Sequence, residues 1–317
     1  MSGKVLITGG AGFIGSHLAE AYLAAGWEVT CLDDCSRGKA TNVPRGARFV
    51  QADVRSAEAR ALVAGGGFDV LNHHAAQIDV RVSVAQPVLD ADINLLGLLN
   101  LLDGAAAGGV RRVLFASSGG TVYGDPDVIP TPEPTAKAPL APYGVAKLSS
   151  EYYLHAFSRL HGFETVALRY ANVFGPRQDP NSEAGVCSIF IGRLLAGQGL
   201  TVFGDGTQTR DFVFVKDVAR ANLAASTATL PEGEGIDARA FNIATGTERS
   251  VNALAEAAGQ VILGRSPEVQ HVAARKGELA RSCLDVSKAH RVLGWSPSWP
   301  FEDALGELVR WFRAGCP

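Results

Sequence analysis

Apolar residues in the first half of the chain form short runs that alternate with stretches of helical periodicity. The runs are rich in Val, Leu, Ile and Phe, a composition typical of strands that are buried on both faces of a parallel sheet. The segments predicted to form strands are 4–8, 28–32, 48–51, 69–72, 112–117 and 165–169. This alternation of strands and helices predicts an α/β fold with a Rossmann-type, doubly wound parallel sheet.

Helical periodicity is clearest between these strands, at residues 56–64, 87–107 and 143–161. In the second of these stretches the leucines that share one face are Leu95, Leu98, Leu99 and Leu102. The second half of the chain is less regular, with helices predicted at 186–196, 218–227, 251–263 and 301–313 and strands at 200–203, 212–215 and 241–243. We therefore expect a Rossmann domain at 1–172 and a smaller α/β lobe at 173–317, some segments of which return to the first domain.

Three glycines stand where the first predicted strand meets the first helix. Gly9, Gly12 and Gly15 let the turn tighten, let the backbone approach a pyrophosphate, and let the helix pack on the strand. The helix then directs its free N–H groups at the anion. Strand, glycine turn and helix in this order predict a dinucleotide site, although glycine spacing alone also arises by chance in a chain with 36 glycines.

An acidic residue ends the second predicted strand. Asp33 lies 18 residues after Gly15, the place from which a carboxylate accepts hydrogen bonds from an adenosine ribose. The same charge would repel a 2′-phosphate, so NAD is favoured over NADP. Arg37, a cation close behind, leaves this preference open.

Composition excludes several classes of function. The chain has 317 residues, a net charge of −3 and no basic run, which argues against a nucleic-acid partner. No stretch approaches 18 uninterrupted apolar residues and the first residues show no leader pattern, so we expect no membrane span. The five cysteines, at 31, 35, 187, 283 and 316, are odd in number and lack metal-ligand spacing. We therefore expect reduced thiols, no bound metal and a cytoplasmic location.

A tyrosine and a lysine four positions apart open the predicted helix at 143–161. This spacing puts Tyr143 and Lys147 on one helical face. A neighbouring ammonium, together with a cationic nicotinamide, lowers the pKa of a phenol from about 10 by roughly one to three units. The phenolate then accepts a hydroxyl proton at neutral pH, so the pair is predicted to perform acid–base catalysis. An ordinary pair on the helix surface is the alternative.

Two serines end the fifth predicted strand, at the edge where parallel strands border a ligand crevice. Either Ser117 or Ser118 could bond the reacting oxygen of a substrate. Either could instead cap the glycine turn that follows.

Taken in order, these motifs resemble those of the extended short-chain dehydrogenase/reductase family, and within it the branch of nucleotide-sugar 4-epimerases. The segments that carry the resemblance are 8–15, 53–55, 74–77, 79–81, 117–124, 143–147, 168–176, 203–212 and 275–278. They span nearly the whole chain. The series is specific for the family and much less specific for the sugar.

The resemblance implies an enzyme that uses NAD to invert C4 of a UDP-sugar, of the UDP-glucose or UDP-galactose type, through a 4-keto intermediate. It assigns catalysis to Tyr143, Lys147 and a serine hydroxyl. Besides that pair, it assigns to NAD the residues Gly9, Gly12, Phe13, Ile14 and Gly15 at the pyrophosphate, Asp33 at the ribose, Asp53 and Val54 at the adenine, and Ala75 and Ala76 near the nicotinamide. It assigns to the substrate Ser118, Tyr143, Asn172, Ser282 and, on the diphosphate, Arg210 and Arg275.

One position departs from the family pattern. The catalytic Ser or Thr usually stands four residues before the Tyr of the Val-Tyr-Gly segment, where this chain has Gly119. The hydroxyl must then come from Ser118 or, as the second choice, from Ser117.

Three other functions stay open at this point. A UDP-glucuronate 4-epimerase would need a cation for the sugar carboxylate. A nucleotide-sugar 4,6-dehydratase would need the Asp-Glu pair of that branch, whose places hold Gly120 and Thr121. A non-catalytic dinucleotide-sensing protein would not need Tyr143 and Lys147.

The resemblance also bears on substrate width and assembly. In the family, the residue seven places after the arginine of the Arg-x-Gly-Glu segment bounds the pocket around the C2 substituent, and from Arg275 this residue is Ser282. A small serine leaves room for an N-acetyl group, so N-acetylated UDP-hexosamines are expected beside plain UDP-hexoses. A homodimer is expected through paired helices, from the apolar face of 87–107 and the region of Tyr152, Tyr153 and Phe157, although core packing explains the same residues.

Overall fold

A parallel sheet with helices on both faces forms the centre of the molecule, which the computed structural model describes over residues 3–179, 185–274 and 279–316. The strands there are β1 (Lys4–Thr8), β2 (Glu28–Asp33), β3 (Arg48–Gln51), β4 (Val70–His73), β5 (Arg112–Ser118), β6 (Glu164–Tyr170), β7 (Asn172–Phe174), β8 (Leu200–Phe203), β9 (Thr209–Phe214), β10 (Ala240–Ile243), β11 (Glu248–Ser250) and β12 (Val269–Val272). The helices there are α1 (Phe13–Ala24), α2 (Ala57–Gly65), α3 (Val80–Ala85), α4 (Pro87–Ala91), α5 (Gly97–Gly108), α6 (Gly119–Val122), α7 (Pro142–His161), α8 (Val186–Leu195), α9 (Val215–Thr227), α10 (Val251–Leu263), α11 (Ser287–Leu293) and α12 (Phe301–Arg313). None of these helices has the length and apolar character needed to cross a membrane.

The central sheet has the strand order β10-β6-β5-β4-β1-β2-β3, and all its neighbours are parallel. The predicted α/β class with a doubly wound sheet is thereby confirmed. The order reverses beside β1, because β2 follows on one side and β4 on the other. A ligand crevice opens at the carboxyl ends of the strands at such a reversal. The residues that follow β1, β2, β4 and β5 are therefore the ones that can reach a ligand.

Alternate residues of β1 enter two different hydrophobic cores. Val5 and Ile7 pack on the side of α1 and α9, in the same cluster as Leu18. Leu6 packs on the side of α2 and α5, in a cluster with Leu98. Since successive side chains of a strand point to opposite faces, a strand covered on both faces must be apolar at nearly every position. This requirement explains the apolar run Val5-Leu6-Ile7 of β1.

The chain after residue 172 contributes to more than one part of the molecule. β10 joins the central sheet beside β6, with Phe241 opposite Leu168, and α9 packs on α1. Other elements form the smaller sheets β11-β9-β7 and β12-β8, next to a core that includes Phe174, Phe190 and Phe212. Segments of 173–317 thus lie on the first sheet as well as beside it. The domain boundary at residue 172 stays a prediction.

Structure and prediction differ most at 87–107. Instead of a single helix, the structure has α4, a π-helical turn at Asp92–Leu96, and α5. The wider turn rotates the apolar face, so Leu98 and Leu102 are buried whereas Leu95 and Leu99 are only partly so. A smaller difference concerns 212–215, where the strand ends at Phe214 and the helix expected from 218 has already begun.

Candidate active site

The turn between β1 and α1 has no room for side chains. Gly9 has a φ of 68°, and a Cβ there would lie 2.8 Å from the amide nitrogen of Ala75. A Cβ on Gly15 would lie 2.1 Å from the carbonyl oxygen of Gly9. Gly12 is the N-cap of α1, so the amides of 13–15 have no acceptor within the helix. The turn therefore presents bare backbone and the positive end of a helix dipole, the combination that binds a diphosphate.

Asp33 is fixed directly beside this turn. Its carboxylate accepts hydrogen bonds from the amides of Ala11 (3.0 Å) and Cys35 (2.8 Å). Burial raises the pKa of Asp33, and these two N–H donors oppose the rise. The carboxylate is thus held at the carboxyl end of β2, where the sequence predicts a ribose ligand.

Asp53 and Val54 follow β3 and lie close to Asp33. The amide of Ala52 donates to the Asp33 carbonyl oxygen at 3.1 Å, which joins the two segments. Asp53 forms an ion pair with Arg55, which lowers the pKa of Asp53, and Val54 is buried. These positions fit one wall of an adenine pocket, and their assignment to the adenine stays a prediction.

Thr8 fixes the segment that contains Ala75 and Ala76. Its hydroxyl lies 2.6 Å from Nδ1 of His73 and accepts from the amides of His74 and Ala75, both at 3.2 Å. The end of β4 is thereby held against the glycine turn. The small side chains of Ala75 and Ala76 keep this part of the crevice open.

Tyr143 and Lys147 lie on one face at the start of α7, as predicted from their spacing. The Lys147 side chain is buried, and its Nζ donates to the carbonyl oxygen of Ala116 at 2.8 Å. The same Nζ lies 5.7 Å from the centre of the Tyr143 ring and 4.7 Å from that of Phe115. The ammonium is therefore held between β5 and the phenol.

Burial shifts the pKa values of both side chains of this pair. Burial lowers the pKa of Lys147 to about 8, and the charges of Asp90 and Glu151 oppose the decrease. Burial raises the pKa of Tyr143, the charge of Asp90 adds to the increase, and a hydrogen bond with Ser118 lowers it. Burial and the charge of Asp90 thus keep the pKa of Tyr143 above its usual value in the polypeptide, and the lowering by Lys147 together with a cationic nicotinamide stays a prediction.

The two serines at the end of β5 have different partners. The Ser117 hydroxyl is buried and donates to Oε1 of Glu151 at 2.5 Å. The Ser118 hydroxyl lies near Tyr143 and lowers the pKa of that phenol. The geometry therefore favours Ser118 as the source of the catalytic hydroxyl and gives Ser117 a structural partner.

Gly119 shows why this chain has no hydroxyl at the usual family position. A Cβ on Gly119 would lie 2.4 Å from Cδ1 of Leu284, and Leu284 is itself buried. Any side chain at this position would have to displace a packed leucine. The adjacent Ser118 can reach Tyr143 without that cost.

Two of the residues predicted for the substrate, Asn172 and Arg210, lie on the three-stranded sheet. Asn172 begins β7 and is opposite Phe212 of β9, two positions beyond Arg210. The Arg210 guanidinium donates to the carbonyl oxygens of Thr209 (2.7 Å) and Leu279 (2.9 Å). Ser282 is partly exposed. Arg275 lies outside the described residues.

Sequence reasoning missed one acidic residue of this site. Asp90 of α4 is buried, and its charge acts on both Tyr143 and Lys147. An acidic residue inside a helical stretch is normally read as part of its exposed face. The available signal was Asn94 one turn later, a second polar residue on the same side of the helix.

Comparisons with known proteins agree with this arrangement. The NAD dependent epimerase/dehydratase family matches residues 5–244. A UDP-glucose 4-epimerase of Mycolicibacterium smegmatis is 41% identical, over 98% of each chain. The crystal structure of the Thermotoga maritima UDP-glucose 4-epimerase with UDP-glucose is 40% identical, with a TM-score of 0.92 over 99% of this chain and 100% of that one.

A third relative acts on an N-acetylated sugar. It is the UDP-N-acetylglucosamine 4-epimerase of Methanobrevibacter ruminantium, in complex with UDP-N-acetylmuramic acid. It is 34% identical, with a TM-score of 0.91 over 99% of each chain. The glycine turn, the pair of Tyr143 and Lys147 and these full-length similarities lead to one conclusion: the chain belongs to the NAD dependent epimerase/dehydratase family.

Proposed function

We propose that this protein is an NAD-dependent epimerase that inverts C4 of a UDP-sugar. The observation that carries the proposal is the cluster of Ser118, Tyr143 and Lys147 at the carboxyl edge of β5. It faces the crevice of a chain that is 40% identical to a UDP-glucose 4-epimerase over nearly its whole length. An acid–base group beside a dinucleotide site is what reversible oxidation of a sugar hydroxyl requires.

The residues of the crevice fit NAD. The glycine turn leaves backbone amides uncovered for a diphosphate, and Asp33 is fixed where a ribose would follow. The carboxylate of Asp33 also disfavours a 2′-phosphate. When bound, NAD supplies an acceptor and later a donor of hydride, and the positive charge of its oxidised ring.

The polypeptide supplies the proton chemistry. Tyr143 takes the proton from the 4-hydroxyl as C4 is oxidised, and Ser118 holds the same oxygen by a hydrogen bond. Lys147 stabilises the phenolate that must form. After the 4-keto sugar has turned about its diphosphate link, Tyr143 returns the proton to O4 and C4 is reduced on the other face. No proton or electron pair is gained or lost overall.

We propose that the protein holds the substrate by its diphosphate and leaves the sugar free to turn. Backbone carbonyls fix Arg210 on β9, at one side of the substrate region. We assign Arg210, Arg275 and Asn172 to the nucleotide end because a planar guanidinium binds phosphate oxygens in pairs. A tight sugar clamp would prevent the rotation that inversion needs.

The alternatives make different demands on the same site. A 4,6-dehydratase needs an acid and a base for elimination, but Gly120 and Thr121 occupy the places of that pair. A non-catalytic dinucleotide sensor would not need Tyr143 and Lys147. A UDP-glucuronate 4-epimerase differs only in a cation for the carboxylate.

One experiment separates these functions. The purified protein is incubated with NAD and, in turn, with UDP-glucose, UDP-galactose, UDP-N-acetylglucosamine and UDP-glucuronate, and the products are identified by NMR. We expect the C4 epimer of at least one hexose. A 4-keto-6-deoxy product, inversion of the uronate alone, or no product would each overturn the proposal.

Ser282 sets the expected substrate width. We propose that this small side chain admits an N-acetyl group at C2; one relative, at 34% identity, is a UDP-N-acetylglucosamine 4-epimerase. Ser282→Tyr should cut kcat/KM for the N-acetylated sugar about tenfold or more while largely sparing UDP-glucose, because the clash is selective. Equal losses on both sugars, or no N-acetyl activity in the unmodified enzyme, would contradict the assignment.

We also propose that the protein forms a homodimer through α4, α5 and α7. Large apolar side chains are exposed on α4 and α7 and on the segments next to α4, including Val88, Tyr152 and Tyr153 on the two helices, Val84 on α3 and Leu96 in the π-helical turn. A contiguous apolar surface of this kind marks an interface. Light scattering should give the mass of two chains, and Val88→Lys with Tyr152→Lys should give the mass of one. A wild-type monomer would refute the dimer.

A cytoplasmic location is the last part of the proposal. The five cysteines are free thiols, and Cys31, Cys187 and Cys283 are buried. Free thiols in this number fit a reducing compartment. Fractionation of cells that express the tagged chain should recover it with cytoplasmic markers.

A further inference from the structure

A buried carboxylate beside the catalytic pair has no role in the scheme above. Asp90 lies on α4, which packs against α7, and is 1% exposed. Its Oδ1 accepts from Nε2 of Gln77 (2.8 Å) and from Nδ2 of Asn94 (3.0 Å). Its Oδ2 is buried and has no hydrogen-bond partner in the described parts of the chain. A buried carboxylate with one unpartnered oxygen calls for an explanation.

The two amides that hold Asp90 are themselves locked together. Gln77 donates its backbone N–H to Oδ1 of Asn94 (2.8 Å), and Asn94 returns a hydrogen bond to the Gln77 carbonyl oxygen (2.9 Å). Asn94 belongs to the π-helical turn at Asp92–Leu96, and Gln77 follows the alanines of the crevice. π-Turns inside helices are frequent at functional sites. The position of the Asp90 carboxylate is therefore fixed from two elements.

The charges around this group show what it can act on. Lys147 is the cation that favours the ionised form of Asp90 against burial. Glu151, which also faces Lys147, is already paired with Arg169 at 2.6 Å. His73 and His74 are kept neutral because burial and Lys147 lower the pKa of both. Farther out, Asp79 pairs with Arg81 and Asp92 pairs with Arg55.

We propose that Asp90 is a positioning residue for proton transfer, whose fixed charge balances Lys147 and lets Tyr143 return its proton as readily as take it. The idea rests on the proposed function, in which one phenol acts as base and then as acid. While the nicotinamide is oxidised, its charge and that of Lys147 both stabilise the phenolate and so weaken it as a base for the sugar hydroxyl. A nearby negative charge offsets them, and proton transfer in both directions is fastest when donor and acceptor are matched.

The effect of the Asp90 charge can be measured directly as a change in the pKa of Tyr143. Asp90→Asn removes the charge, while the amide oxygen can still accept from Gln77 and Asn94. In the NAD-bound protein labelled with [13Cζ]tyrosine, the Tyr143 signal is identified by its loss in Tyr143→Phe. We expect Asp90→Asn to lower the pKa of Tyr143 by about one unit, the effect of removing one nearby negative charge from a buried site. In the pH profile of kcat/KM, the limb that reports ionisation of Tyr143 should move to lower pH by the same amount.

Matched variants separate charge from structure. Asp103→Asn removes an exposed carboxylate from α5 and should leave the pKa of Tyr143 unchanged, and Asp90→Glu should restore most of the original value. If Asp90→Asn does not fold, Asp90→Ser makes the same test with a smaller neutral side chain. An unchanged Tyr143 pKa in a folded neutral variant would overturn this proposal alone, whereas failure of the unmodified enzyme to form any C4-epimerised hexose would overturn the proposed function.

Discussion

Helix α7 carries two buried charged groups one turn apart, and their surroundings are unlike. Lys147 makes one hydrogen bond, to a backbone carbonyl, and otherwise contacts aromatic rings. Glu151 accepts from Ser117 at 2.5 Å and pairs with Arg169 at 2.6 Å. Arg169 is fully buried and also donates to Tyr123 at 2.9 Å. One group is barely compensated and the other is compensated on every side.

The difference shows how one helix serves both stability and chemistry. A buried charge with complete hydrogen bonding fixes its neighbours, and removing one partner leaves the other exposed to the full cost of desolvation. A buried charge with few partners has a shifted pKa and destabilises the fold, but it can take part in proton transfer. The two positions should therefore respond to mutation with opposite signs in stability.

The largest effect is expected from breaking the compensated pair. Arg169→Met should reduce the free energy of unfolding by about 3–5 kcal/mol, because Glu151 would stay buried without its cation. Urea unfolding followed by circular dichroism measures the loss. The double variant Arg169→Met/Glu151→Leu should recover much of it. A single variant as stable as the wild type would show that the pair is not what holds this region.

Removal of the phenol comes next and should affect rate, not folding. Tyr143→Phe should lower kcat at least about 100-fold, or about 2.7 kcal/mol in the activation barrier, since general-base catalysis is lost. The melting temperature and the amount of bound NAD should remain close to wild type. Near-normal turnover would remove Tyr143 from the mechanism.

Lys147 tests whether removal of the second buried charge stabilises the fold. Its pKa is lowered to about 8 in the folded protein, so below pH 8 the charge is buried at a cost that the unfolded chain does not have. The free energy of unfolding of Lys147→Met should therefore exceed that of the wild type by about 1–3 kcal/mol at pH 7, although the variant is inactive. Between pH 8 and 10.5 the unfolded state binds more protons, so wild-type stability from this group rises and the advantage of the variant shrinks. A Lys147→Met variant less stable than the wild type at pH 7 would contradict the view that the buried Lys147 charge destabilises the fold.

The smallest effect concerns the two serines. Ser118→Ala should slow turnover about tenfold, the worth of one hydrogen bond to the reacting oxygen. Ser117→Ala should affect kcat less and lower the melting temperature more, because it removes a donor from Glu151. Steady-state kinetics and calorimetry on the two variants measure both quantities. Equal and small effects on kcat would mean that neither hydroxyl is essential.

Patterns of neighbouring residues made much of this molecule predictable. The strand 4–8 needed apolar residues on both faces, and α10 has the bounds expected from its periodicity. The π-turn at Asp92–Leu96 could not be expected, because a single inserted residue leaves the leucine pattern looking continuous. Asp90 and Arg169 were missed for a related reason: a charge reads as exposed until its partners, far away in the sequence, are known.

The place of β10 in the central sheet has a consequence for how the chain is made. β10 pairs with β6, but 70 residues separate Tyr170 from Ala240. At synthesis rates of about 5–20 residues per second, the edge of β6 emerges roughly 4 to 14 s before the strand that covers it. An uncovered edge of a hydrophobic sheet can pair with another chain. During those seconds the nascent chain can aggregate through the uncovered edge of β6. Its yield in the cell should therefore depend on chaperones that bind it during synthesis.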